Sequence, residues 1–115
     1  FRVIGGKTAQ LFGASAQSGA IVANGSLLQV KAAFDYGYNM GLAFQIIDDI
    51  MDYSSSNTKM GKNQGDDFKL GKTTLPIILA WEKSNKLERE FFLKSLQELK
   101  QERGDFEKCC EILNK

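Results

Sequence analysis

Met40-Gly41-Leu42-Ala43-Phe44-Gln45-Ile46-Ile47-Asp48-Asp49-Ile50-Met51-Asp52 is apolar nearly all the way round a helical wheel, yet it carries three aspartates. A helix apolar on every side is ordinarily buried, so the pattern predicts an interior helix that takes carboxylates in with it. The helix should begin near Leu27, because Ser26 followed by Gln29 is a capping-box signal, and should run to about Tyr53. Its first half is amphipathic.

The rest of the chain extends the same pattern. Upstream, residues 3–23 space Ile4, Leu11, Phe12, Ala14, Ala16 and Ile21 helically among small residues, which allow close helix–helix approach, and Asn24-Gly25 breaks the run. Downstream, residues 54–72 are rich in Ser, Asn and Gly and read as a long loop, a length usually tied to function or disorder. A buried helix follows at 73–83, with Pro76 in its first turn, where a missing N–H matters little. Asn85 with Glu88 forms a second capping box for an amphipathic helix over 86–101. Gly104 ends that helix, and Asp105 is placed to cap a last short one reaching Leu113. No stretch reads as a strand, so the fold class is all-α, a helical bundle.

Composition narrows the chemistry. The chain has 115 residues, 43% of them hydrophobic, with a net charge of +1, which suits one small globular domain and gives no reason to expect nucleic acid as a partner. No apolar run approaches the roughly 18 residues of a membrane span, so a membrane is not required. Histidine is absent and the two cysteines, Cys109 and Cys110, are adjacent, so any metal must be held by oxygen. Nothing suggests secretion, and a reducing cytoplasm is the default location. The chain starts at Phe1 with no Met and reads as though cut from something longer.

The acids of the opening stretch form D-D-x-x-D at a helix C-terminus. Asp48 and Asp52 share a face, with Asp49 at their flank. Three terms oppose ionised carboxylates there: the negative end of the helix dipole, like-charge repulsion at i and i+4, and desolvation by apolar neighbours. A cation would relieve all three, and Mg²⁺ suits oxygen donors, taking one or two carboxylates and filling its shell with water and phosphate. The plainer alternative is a helix ending in solvent. In the loop, Gly61, Lys62, Gly65, Gly71 and Lys72 combine free backbone with positive charge ahead of a helix start, a phosphate-type arrangement, though solvated lysines on a surface loop would look the same. Lys7-Thr8 sets a cation and a hydroxyl on the small-residue helix, where a snorkelling lysine is equally consistent. A Walker A loop is excluded. Five residues rather than four separate Gly65 from Gly71, and a helix rather than a strand precedes them. The acid spacing of an EF-hand is missing too.

Three motifs in order carry a resemblance: Gly6-Lys7-Thr8-Ala9, then Phe44-Gln45-x-x-Asp48-Asp49-x-x-Asp52, then Gly61-Lys62-x-x-Gly65-x-Asp67-x-x-x-Gly71-Lys72-x-Thr74-Leu75-Pro76. Together they resemble the trans-isoprenyl (polyprenyl) diphosphate synthases, most closely the octaprenyl-type members, over residues 1 to about 83. The resemblance implies a helical bundle around a central cavity, in which isopentenyl diphosphate adds to an allylic prenyl diphosphate to lengthen it by five-carbon units. It implies that Asp48, Asp49 and Asp52 are the second aspartate-rich motif and bind Mg²⁺. It implies that Lys7, Thr8, Gln45, Lys62 and Lys72 contact the allylic diphosphate or its metals, with Asp48, Asp49 and Lys72 acting in catalysis. A homodimer is expected by the same resemblance.

The family's first aspartate-rich motif has no counterpart here. Residues 1–115 are therefore expected to be the C-terminal portion of a polyprenyl synthase domain, inactive in isolation. Terpene cyclases also use D-D-x-x-D, and a non-catalytic subunit of a heteromeric prenyl synthase is a further alternative. The Gly71-Lys72-x-Thr74-Leu75-Pro76 signature favours the synthase.

Overall fold

The computed structural model describes residues 8–54 and 64–115. Among the described residues six α-helices follow one another: α1 (Gln10–Val22), α2 (Leu27–Asp52), α3 (Asp66–Lys69), α4 (Leu75–Lys83), α5 (Lys86–Phe92) and α6 (Asp105–Leu113). α5 continues into one wider, π-type turn at Leu93–Gln97. No strand occurs among the described residues, as the all-α reading expects. The chain divides into two compact units, Phe1–Asp48 and Asp49–Lys115, with the boundary inside α2.

In the first unit α1 meets α2 through missing side chains. A Cβ on Gly37 would come within 2.5 Å of the Phe12 carbonyl oxygen, and one on Gly41 within 2.7 Å of the Ala9 Cα. The backbones are thus closer than any larger residue permits. Phe12 and Phe44 stack beside the crossing with ring centroids 5.7 Å apart. The α2 start is capped as its sequence predicts: the Ser26 N–H donates to Gln29 Oε1 at 2.8 Å and the Gln29 N–H to Ser26 Oγ at 3.4 Å. The expectation that the second half of α2 is buried on all sides is overturned. Met40, Phe44, Ile47 and Ile50 are each 50–57% exposed. An all-round apolar helix needs neighbours all round, and burial here is decided by the neighbours present.

The second unit has its own core of Phe68, Ile77, Phe91, Phe92, Leu96, Cys109 and Ile112, with Tyr53, Trp81 and Phe106 packed against it. α4 starts after Thr74 with Pro76 in its first turn, as predicted, and α5 carries the full Asn85–Glu88 capping box. Three boundaries differ from expectation. The predicted loop contains α3, a single turn that the Gly65 backbone starts in a left-handed conformation (φ 74°). The helix expected to reach residue 101 stops at Gln97, and Leu99 takes φ 54°. There the Gln101 side chain donates to the carbonyls of Ser95 (2.9 Å) and Phe68 (2.8 Å), a tie across 33 residues that no local pattern reveals. Asp105 lies inside α6 rather than capping it, and its carboxylate accepts from the Glu102 N–H at 2.9 Å. The end of α2 is tied to the α3 start: Gly65 N–H donates to the Asp52 carbonyl at 3.2 Å, and Gln64 Nε2 donates to the Ser54 carbonyl.

Candidate active site

The three motif acids all lie in the last turns of α2, where the helix leaves carbonyls without intrahelical donors. Asp49 is 7% exposed. Burial pushes Asp52 above the ordinary carboxylate range. The nearby charges of Asp67 and Asp66 add to the rise, and the backbone N–H groups of those two residues oppose it. The Asp67 N–H donates to Asp52 Oδ2 at 3.0 Å.

Lys72 follows Gly71, whose φ of 65° turns the chain sharply after α3. Lys72 Nζ reaches Asp67 Oδ1 at 2.5 Å, with the lysine side chain 52% and the aspartate 17% exposed. Its ammonium is held above the ordinary lysine range, chiefly by the bond to Asp67 and further by the charges of Asp67, Asp52 and Asp49. The second unit therefore gathers Asp49, Asp52, Asp67 and Lys72 into one electrostatic neighbourhood. In the first unit Thr8 Oγ1 donates to Gln45 Oε1 at 3.0 Å, joining two of the predicted diphosphate contacts. Lys7 and Lys62 lie outside the described residues.

Asp67 is the residue of the third motif to which sequence reasoning gave no role. It was visible as part of Gly65-Asp66-Asp67, but its partner Asp52 is 15 residues away and its other partner, Lys72, lies beyond a left-handed turn. An acidic pair straight after a glycine, the usual opening of a helix, was the available signal.

The donor set suits a hard divalent ion, being carboxylate oxygen alone. Among the described residues no three acidic, cysteine or histidine side chains converge tightly enough to enclose an ion. That is compatible with Mg²⁺, which keeps most of its shell for water and phosphate.

The polyprenyl synthetase family model matches residues 1–113. The chain belongs to that family. Family relatives include the octaprenyl diphosphate synthase of Haemophilus influenzae, 50% identical over 84 residues, covering 73% of this chain and 26% of that one. The Escherichia coli octaprenyl diphosphate synthase is 48% identical over 79 residues, 69% of this chain and 24% of that one. Among solved structures, a polyprenyl synthase from Caulobacter crescentus complexed with calcium and isoprenyl diphosphate superposes with a TM-score of 0.91 at 41% identity. It covers 97% of this chain and 34% of its own. A decaprenyl diphosphate synthase from Rhodobacter capsulatus gives 0.88 at 42% identity, with the same coverage. The chain spans a quarter to a third of the length of these polyprenyl synthetase relatives. No helix among the described residues is long and apolar enough to cross a membrane.

Proposed function

We propose that this chain supplies the leaving-group side of a prenyltransferase site. The enzyme condenses isopentenyl diphosphate with an allylic prenyl diphosphate to make a polyprenyl diphosphate. The observation that carries this reading is the Asp52–Asp67–Lys72 array, an ammonium held beside carboxylates at the end of a D-D-x-x-D helix. Family membership supports it and favours neither the cyclase nor the non-catalytic subunit.

Asp48, Asp49 and Asp52 are the residues that would hold Mg²⁺. Support for a divalent ion comes from the oxygen-only donors and from the Caulobacter crescentus relative, which is complexed with calcium and isoprenyl diphosphate. When bound, the ion supplies charge neutralisation to the diphosphate. The chain's own groups do the rest. Lys72, half exposed, brings a fixed positive charge to the oxygens on which negative charge develops as the carbon–oxygen bond breaks. Gln45 is oriented by the Thr8 hydroxyl, which donates to its Oε1. Lys7 and Lys62 are assigned to the same diphosphate by their motif positions. A second copy of the chain is the proposed partner, consistent with the exposed Met40, Phe44 and Ile47 on α2.

The test has two arms. In an enzyme of family length carrying these residues, Asp48→Ala and Lys72→Ala should each lower turnover on the order of 10²-fold while the fold persists. On the 115-residue chain, Mg²⁺ with inorganic diphosphate should raise Tm, since a ligand selective for the folded state stabilises it. Asp48→Ala combined with Asp52→Ala should abolish that rise. Near-normal turnover in both single variants refutes the assignment.

A further inference from the structure

Asp67 is bonded to both ends of the array. Its N–H donates to Asp52 Oδ2 at 3.0 Å, its carbonyl accepts from the Lys72 N–H at 2.9 Å, and its Oδ1 accepts from Lys72 Nζ at 2.5 Å. We infer that Asp67 is a positioning residue: it fixes where the Lys72 ammonium stands, relative to the end of the acidic motif, before a diphosphate arrives. The inference rests on the diphosphate reading above.

The physical case is one of pre-ordering. A lysine has four rotatable bonds and a half-exposed one samples many directions. Transition-state stabilisation by a charge depends on that charge already being aimed. Asp67 is itself held: Gly65 (φ 74°) and Gly71 (φ 65°) bracket the turn that contains it, and Phe68, next in sequence, is buried in the core. The competing account is that the Asp67–Lys72 pair merely closes the α3–α4 turn.

Asp67→Asn separates the two, because it keeps both backbone hydrogen bonds and the side-chain shape while removing the charge. In an enzyme of family length carrying these residues, Asp67→Asn should lower kcat about 10-fold or more, with the allylic KM moving less than about 3-fold. In a Lys72→Ala background the same change should lower kcat less than about 3-fold, the signature of two residues acting as one. Asp67→Glu should recover part of the loss. Independently of turnover, the carbon NMR titration of the Lys72 Cε should move to lower pH in Asp67→Asn. An equal Asp67→Asn effect with and without Lys72, or an unmoved lysine titration, overturns the positioning role while leaving the diphosphate site intact. A Lys72→Ala enzyme with unchanged kcat overturns the site reading and this inference together.

Discussion

Gly71→Ala should be among the most damaging single-methyl additions available in the second unit. Two separate terms act there. The backbone is left-handed, φ 65°, a conformation that an L-residue adopts at roughly 1–2 kcal/mol. The added Cβ would also overlap the Leu96 carbonyl oxygen and lie 2.5 Å from Leu99 Cδ2. Leu96 is buried, and the turn at Leu99 is already bent to φ 54°, so neither neighbour yields easily. Overpacking of this kind costs about 1–3 kcal/mol. A total loss of about 2–5 kcal/mol is a large share of the stability of a small domain. Gly104→Ala is the control. It too has positive φ, 97°, but a Cβ there meets nothing within 4 Å, so only the backbone term applies. Urea denaturation of the two variants against the parent, followed by circular dichroism, measures both. Gly71→Ala should lower the midpoint clearly more than Gly104→Ala. Equal midpoints would falsify the claim that the Leu96–Leu99 turn presses on Gly71, and with it the account of how Lys72 is placed.

Other outcomes follow from single groups. Asn85→Ala removes the acceptor for the Glu88 N–H, a 3.0 Å bond, and should cost about 1 kcal/mol in the same denaturation assay. Cys109 is fully buried and burial pushes its thiol from 9.0 up to about 12. Alkylation of Cys109 at pH 8 should therefore track unfolding, whereas Cys110, partly exposed, should react first. The unfolded chain releases the Cys109 proton near pH 9 while the folded chain holds it. Stability should consequently fall between pH 9 and 12, by at most about 1.4 kcal/mol per pH unit from this group, and Cys109→Ala should flatten that slope.

Features written locally were legible from sequence, and features written across the chain were not. Both capping boxes span three residues, and both form as read, because the partners are brought together by one helical turn. The α4 start could be placed from Pro76 for the same reason. α3 was missed because four residues are too few for any periodicity to register. The true stop of the α5 run escaped because Gln101, fixed by Phe68, competes there with a pattern that still looks helical. The exposure of Met40, Phe44 and Ile47 exposed a different limit: all-round apolarity states what a helix can bury, and the neighbours present decide what it does bury. In the site, residue types and spacing pointed to Asp48, Asp49, Asp52 and Lys72, whereas the link between Asp52 and Lys72 runs through a backbone N–H of Asp67 that no motif encodes.

The bridge between the end of α2 and the start of α3 writes the register of the acidic array into main chain. The Gly65 N–H is fastened to the Asp52 carbonyl, and the Ser54 carbonyl accepts from the Gln64 side chain ten positions on. Because the Gly65 tie uses backbone atoms at both ends, Asp52→Ala removes a carboxylate without removing that tie. A variant chosen to empty the acidic motif therefore leaves α3 anchored to the end of α2.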